Sequence, residues 1–235
     1  MIHFLHGIIG EPAHFAGVIR RLGIAPQQIN NPRLDYLEQD VSGLVATVAD
    51  GARAGGRQIV VANSMGCQLA LRLPFRVDHF VLTAPPFDYN TGIVPLRRNG
   101  IGAWVDGLYQ QKGNIEGEAA FLQSASSMDD ENMKNRRMIG KIREFRAEAQ
   151  RFLASPVLQA RSADVTFLIG AQDHSTPPQD FANFVATTVP KAKLQVIEAC
   201  GHAVPVEHPD QVARAITDVL APRQRASRMA RLTSS

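Results

Sequence analysis

Short unbroken apolar runs alternate along this chain with segments whose apolar residues recur every three or four positions. Ile2–Leu5, residues 165–169 and the centres of residues 57–63 and 78–83 are of the first kind, each too short for an isolated helix and each ended by a glycine, proline or polar turn, and residues 193–198 read as a further strand. Phe15, Val18, Ile19 and Leu22 mark a helix over residues 13–22. Val41, Leu44, Val45, Val48 and Ala52 mark another over residues 41–54, stopped by Gly55-Gly56. Residues 65–72, Pro178–Thr188 and Pro209–Leu220 have the same helical character. Such alternation predicts an α/β fold, a mostly parallel central sheet with helices on both faces.

One stretch breaks the pattern. Residues 90–155 contain no clear strand and are punctuated by Lys112-Gly113-Asn114 and Ser126-Ser127-Met128-Asp129-Asp130. Their later part has helical spacing in Met133, Arg137, Ile139, Ile142, Phe145, Ala149 and Phe152. The expected organisation is a core from residues 1–89 and 156–221, a helical cap insertion over 90–155, and a basic tail over 222–235.

Composition narrows the class. A chain of 235 residues with 45% apolar and 20% charged residues fits one globular domain. No apolar stretch is long enough to span a bilayer, and the first residues read as a strand, not a signal peptide. Two cysteines, Cys67 and Cys200, are too few and too far apart for a disulfide framework. They read as free, buried thiols in a reducing, cytoplasmic setting, with Cys200 alternatively lining the site two residues before His202. The formal charge of +3 rests on the tail, because removing Arg223, Arg225, Arg228 and Arg231 takes it to −1. That pattern gives no reason to expect nucleic acid as a partner.

The chemistry concentrates at three strand ends. Ile59-Val60-Val61-Ala62-Asn63 runs without a loop into Ser64, and Met65-Gly66-Cys67 runs without a loop into a helix. A serine on so sharp a strand-to-helix turn presents its hydroxyl above the sheet edge. A serine hydroxyl needs a base, and the base needs an orienting acid. The run ending Gly170-Ala171-Gln172-Asp173 and the run ending Cys200-Gly201-His202 supply them, each just after a strand. Asp88, after the preceding strand, is an alternative acid. Among the other histidines, His3, His79 and His208 belong to strand or helix positions, His174 follows the acid directly, and His14 starts the first helix. Backbone donors for an oxyanion are expected from the amides of Met65, next to the serine, and Ile8, in the tight His6-Gly7-Ile8 loop after the first strand. No histidine, cysteine and carboxylate set has metal-ligand spacing, and Gly55-Gly56 precedes a strand where a phosphate cradle would follow one.

With these pieces the chain resembles the α/β-hydrolase superfamily over nearly its whole length. The matching stretches are His6-Gly7-Ile8, Ala62-Asn63-Ser64-Met65-Gly66, Gly170-Ala171-Gln172-Asp173 and Gly201-His202. Its compact build is similar to small bacterial carboxylesterases, such as the pimeloyl-carrier-protein methyl esterase group, and to related menaquinone-pathway lyases. The resemblance implies Ser64 as nucleophile, His202 as base, Asp173 as acid, a mobile helical cap and no cofactor. It also argues against dehalogenase and epoxide hydrolase chemistry, which needs a carboxylate at the position of Ser64. Two departures stand out: Ala62 replaces the first elbow glycine, and residues 29–36 lack the glycine-rich loop of many relatives. No close subfamily follows.

The expected activity is hydrolysis of an ester or thioester of a small to medium acyl group through an acyl-enzyme. His6, Trp104 and Met133 are candidate pocket residues. A basic run, Lys134, Arg136, Arg137, Lys141, Arg143, Arg146 and Arg151, makes an acyl carrier protein or coenzyme A a conceivable partner. Two alternatives stay open: carbon–carbon bond hydrolysis or lyase chemistry on the same triad, and a non-catalytic member that binds a ligand or partner.

Overall fold

Four of the runs form strands buried along their whole length, and the strand from residues 193–197 at the sheet edge is largely exposed. In the computed structural model, residues 1–8, 10–53, 55–87, 140–141, 154–173 and 175–221 are described. Labels below run over those residues. The strands are β1 (Ile2–Leu5), β2 (Ile29–Asn30), β3 (Ile59–Asn63), β4 (His79–Thr83), β5 (Val165–Gly170) and β6 (Lys193–Ile197). The helices are α1 (Ala16–Leu22), α2 (Val41–Asp50), α3 (Gly66–Ala70), α4 (Pro156–Ala160), α5 (Pro178–Thr188), α6 (Val204–Glu207) and α7 (Pro209–Leu220). A 3-10 turn, Pro12–Phe15, precedes α1, so the helix expected over residues 13–22 is split in two.

The strands form one sheet of order β2-β1-β3-β4-β5-β6, and every pairing in it is parallel. Strands from before and after residues 90–155 thus share one sheet, with β4 against β5. The proposed cap and tail lie outside the described residues, apart from Gly140, Lys141, Ala154 and Ser155. Lys141 Nζ donates to the Gln39 carbonyl at 3.3 Å. No helix among the described residues is long and apolar enough to cross a membrane.

Side-chain alternation sorts the core into two layers. Val60 and Ala62 of β3 join Leu5, Phe167, Ile169, Leu44, Leu69 and Phe181 on the face covered by α2, α3 and α5. Ile59 and Val61 join Ile2, Phe4, Leu168, Phe15, Val212 and Ile216 on the face covered by α1, α6 and α7. Both faces of β1, β3, β4 and β5 are therefore dry, which is why these strands read as apolar runs rather than alternating ones.

Register carries this order to the site. Leu5 pairs with Ala62, so the loop after β1 opens beside the loop after β3. β2 and β3 flank β1 on opposite sides, which makes this the place where the strand order reverses and a crevice opens at the carboxyl edge.

Four histidines belong to the frame. His3 is fully buried: its Nε2–H donates to Gln58 Oε1 at 2.8 Å, and its Nδ1 accepts from Asn30 Nδ2 at 3.0 Å. His79 pairs through Nε2 with the Thr166 hydroxyl at 2.9 Å. Burial pushes His3 down, and pushes His6 and His79 to about 4 and His14 to about 3. The unfolded chain takes up protons on these groups near 6.5, whereas the folded chain resists until far lower pH. Their contribution is therefore whole above that value and is lost as pH falls toward 4. The melting temperature is expected to decline steadily from about pH 6.5 to about pH 4. A flat profile over that window would show that these rings accept protons without strain.

Candidate active site

Ser64 sits between β3 and α3 with a left-handed backbone, φ 52°. That conformation costs a non-glycine residue about 1–2 kcal/mol. Its surroundings enforce it. The Ser64 amide donates to the Thr83 carbonyl at 3.0 Å, and its own carbonyl accepts from the Cys67 amide at 2.9 Å. Gly66 lets α3 lie on β1, since a Cβ there would collide with the Leu5 carbonyl. Ala62, in the first elbow position, is fully buried and its carbonyl accepts from the Thr83 hydroxyl at 3.0 Å.

Asp173 ends the turn after β5. Its Oδ1 accepts from the amides of Ser175 at 2.8 Å and Thr176 at 3.0 Å, and the Thr176 hydroxyl ties that turn to the Pro85 carbonyl at 2.7 Å. His202 lies on the loop after β6. This loop reaches the turn because Gly170 has no side chain: a Cβ there would collide with the carbonyls of Cys200 and Gly201. The Gln172 amide then donates to the Cys200 carbonyl at 3.0 Å.

The three side chains meet. His202 Nδ1 is 2.8 Å from Asp173 Oδ2, and His202 Nε2 is 2.9 Å from Ser64 Oγ. Burial would raise the Asp173 carboxyl, but the His202 charge and hydrogen bond with the Ser175 and Thr176 amides outweigh it and hold it below the ordinary range. An ionised Asp173 can only accept, so Nδ1 carries the proton and Nε2 presents its lone pair to the serine hydroxyl. Burial alone would lower His202; the charge and hydrogen bond of Asp173, with Glu207 behind, leave it raised above 6.5. Such an arrangement can take a proton from the hydroxyl as it attacks an electrophile.

The loop after β1 lies against the serine, where a Cβ on Gly7 would stand 3.0 Å from Ser64 Cβ. Among the described residues, the amides of Ile8 and Met65 have no hydrogen-bond partner.

Several expected residues fall elsewhere. His6, expected in the pocket wall, is 1% exposed and committed to the frame: its Nδ1–H donates to Gly7 O at 2.8 Å, and its Nε2 accepts from the Leu34 amide at 2.9 Å. It shapes the loop and has no nitrogen left for a substrate. Cys200 is fully buried against the core, not lining the site, and Cys67 is likewise buried and free. Trp104, Met133, Asp88 and His174 lie outside the described residues; the Nδ1 of His202 is occupied by Asp173. A cavity of about 660 Å³ lined by Arg53, Arg57, Arg76 and Phe75 opens at the amino edge of the sheet, the opposite end from Ser64.

Glu207 was missed by the sequence reading. It stands on α6, five residues after His202, and both its oxygens accept from the Gly201 amide at 3.1 Å. The available signal was a lone acidic residue inside the apolar stretch Val204-Pro205-Val206-Glu207.

Comparisons place this geometry among known folds. A family model described as "Alpha/beta hydrolase family" matches residues 4–215. No curated protein matches the sequence. Solved structures do match. An alpha/beta hydrolase enzyme from the metagenome of lagoon sediments at Mar Chica, Morocco, is 21% identical, covering 95% of this chain and 91% of that one, with TM-score 0.58. The 2-hydroxy-6-oxo-6-phenylhexa-2,4-dienoate hydrolase of a Rhodococcus strain is 19% identical, covering 92% and 89%, with TM-score 0.64. A meta-cleavage product hydrolase from Pseudomonas fluorescens is 18% identical, covering 92% and 89%, with TM-score 0.66. At these identities the likeness is one of fold.

Gly170→Ala tests how the His202 loop is held. Overpacking there is expected to lower stability by about 1–3 kcal/mol and to slow the reaction of Ser64 with a fluorophosphonate. A variant that melts and reacts like the parent protein would contradict the close approach.

Proposed function

Because the chain belongs to the alpha/beta hydrolase family, we propose that it is a serine hydrolase cleaving an ester or thioester of a small to medium acyl group. One observation carries this reading: His202 bridges Ser64 and Asp173 by bonds of 2.9 and 2.8 Å in a site assembled from three strand ends. Ser64 Oγ attacks the substrate carbonyl while His202 Nε2 takes its proton. The amides of Ile8 and Met65, beside the serine and without other partners among the described residues, hold the oxyanion. Each such donor contributes about 100- to 1,000-fold in rate in serine hydrolases. His202 returns the proton to the leaving oxygen or sulfur. Water, deprotonated by the same nitrogen, then attacks the acyl-serine, and His202 returns that proton to Ser64 Oγ as the acid leaves. Asp173 stays ionised throughout, fixing the ring and stabilising the imidazolium.

The insertion over residues 90–155 would shape the acyl pocket, with Trp104 and Met133 as lining candidates. Its basic run would suit an acidic carrier protein or the phosphates of coenzyme A.

A second reading has support in the comparisons, because two of the similar folds are the dienoate and meta-cleavage product hydrolases. Here the same residues would cleave a carbon–carbon bond, with His202 acting chiefly as base. Rapid quenching separates the two: an acyl-serine on Ser64 favours the ester reading, and turnover without one favours the other.

The direct test is hydrolysis of p-nitrophenyl esters of increasing acyl length. Ser64→Ala is expected to lose activity by at least about 1,000-fold, down to background. Retained activity in that variant would remove Ser64 from the mechanism.

A further inference from the structure

Glu207 is a second carboxylate buried beside His202. The residue is 7% exposed, and both oxygens accept from the amide of Gly201 at 3.1 Å. That amide directly precedes His202. The loop is held from its other side as well, by the Gln172 amide on the Cys200 carbonyl, and Ala199 enters it with a left-handed φ of 50°. The carboxylate also brings negative charge to the surroundings of the ring, and it is one of the causes that raise His202.

Among the described residues, the neighbours of this pair come from a few elements. Asp173 ends the turn after β5, and Cys200 lies in the loop that carries His202. Burial first, then Glu207 and Asp173, push the Cys200 thiol far up, so it stays neutral. The 3-10 turn packed on α6 brings His14, which burial holds to about 3 and hence neutral, and Glu11 precedes that turn. His208 follows Glu207 and bonds outward to the Ala199 carbonyl at 3.3 Å. On β5, α1 and α7, also packed on α6, the charged residues are Arg20, Arg21, Asp210, Arg214 and Asp218, all exposed. Among the described residues of the buried cluster, the charge-bearing side chains besides the neutral Cys200 and His14 are therefore Asp173, Glu207 and His202.

We propose that Glu207 is a positioning residue for the reaction: its carboxylate anchors the Gly201 amide so that the His202 ring stays in line between Asp173 and Ser64, and its charge supports the imidazolium formed there. This rests on the reading of His202 as the base. Asp173 contacts the ring itself; Glu207 acts across one peptide unit.

The test follows His202 by NMR in the full-length protein carrying labelled histidine, together with the pH dependence of fluorophosphonate labelling at Ser64. Glu207→Gln keeps an acceptor and removes the charge. Its His202 midpoint is expected to fall by about 0.5–1 pH unit, and the acid limb of labelling should move down with it. Glu207→Asp keeps the charge but falls short of the amide, so the midpoint should stay while labelling slows by about three- to tenfold. Glu207→Gln with an unshifted midpoint overturns the electrostatic role. Should that variant not fold, Glu207→Asp decides through its labelling rate, and a parental rate overturns the anchoring role. Failure of every protein to label would instead overturn the serine hydrolase reading, and it is distinguishable because the midpoint is read without any reaction.

Discussion

A serine held at φ 52° between a buried strand and a buried helix has its hydroxyl fixed by the backbone, with no loop to take up slack. Gly66 must admit the Leu5 carbonyl, Thr83 must receive the Ser64 amide, and Gly7 must pass close to the Ser64 side chain. These contacts come from β1, β3 and β4, so the turn is held by the sheet as a whole. A strained residue persists only where its neighbours over-determine it.

Parallel strands make the rest of the arrangement possible. When every strand runs the same way, the loops after β1, β3, β5 and β6 all emerge at one edge. The turn bearing Asp173 and the loop bearing His202 must still come within hydrogen-bond reach, and the missing side chain at Gly170 gives them that room. Electrostatics then separates the histidines into two kinds. His3, His6, His14 and His79 are held neutral chiefly by desolvation, which at His79 outweighs the charge of Asp164. His202 is just as enclosed, but two carboxylates reverse the balance and favour its charged form.

Much of the fold was legible because burial on both faces writes strands as apolar runs. Pro178–Thr188 and Pro209–Leu220 were legible from proline at the first helical position followed by a regular apolar period. β2 has only two residues and α6 a single turn, so neither could show a period. For the site, the sequence could put Ser64, Asp173 and His202 after strands of one sheet. It favoured Asp173 and kept Asp88 as an alternative, since each follows a strand; a 2.8 Å bond from Asp173 to His202 is a tertiary fact. His6 was misplaced for the same kind of reason. Its loop does border Ser64, yet its ring turns inward to an amide 28 residues away at Leu34. Glu207 was passed over because a lone carboxylate in an apolar stretch shows its use only when the Gly201 amide is seen beneath it.

The chemistry of the site depends on Ser64 being the hydroxyl activated by this geometry. Peptide mapping by mass spectrometry after treatment with a fluorophosphonate reads that directly. A single adduct on the peptide carrying Ser64, absent from acid-unfolded protein, is the expected result. An adduct on another residue, or equal labelling of the unfolded chain, would contradict it.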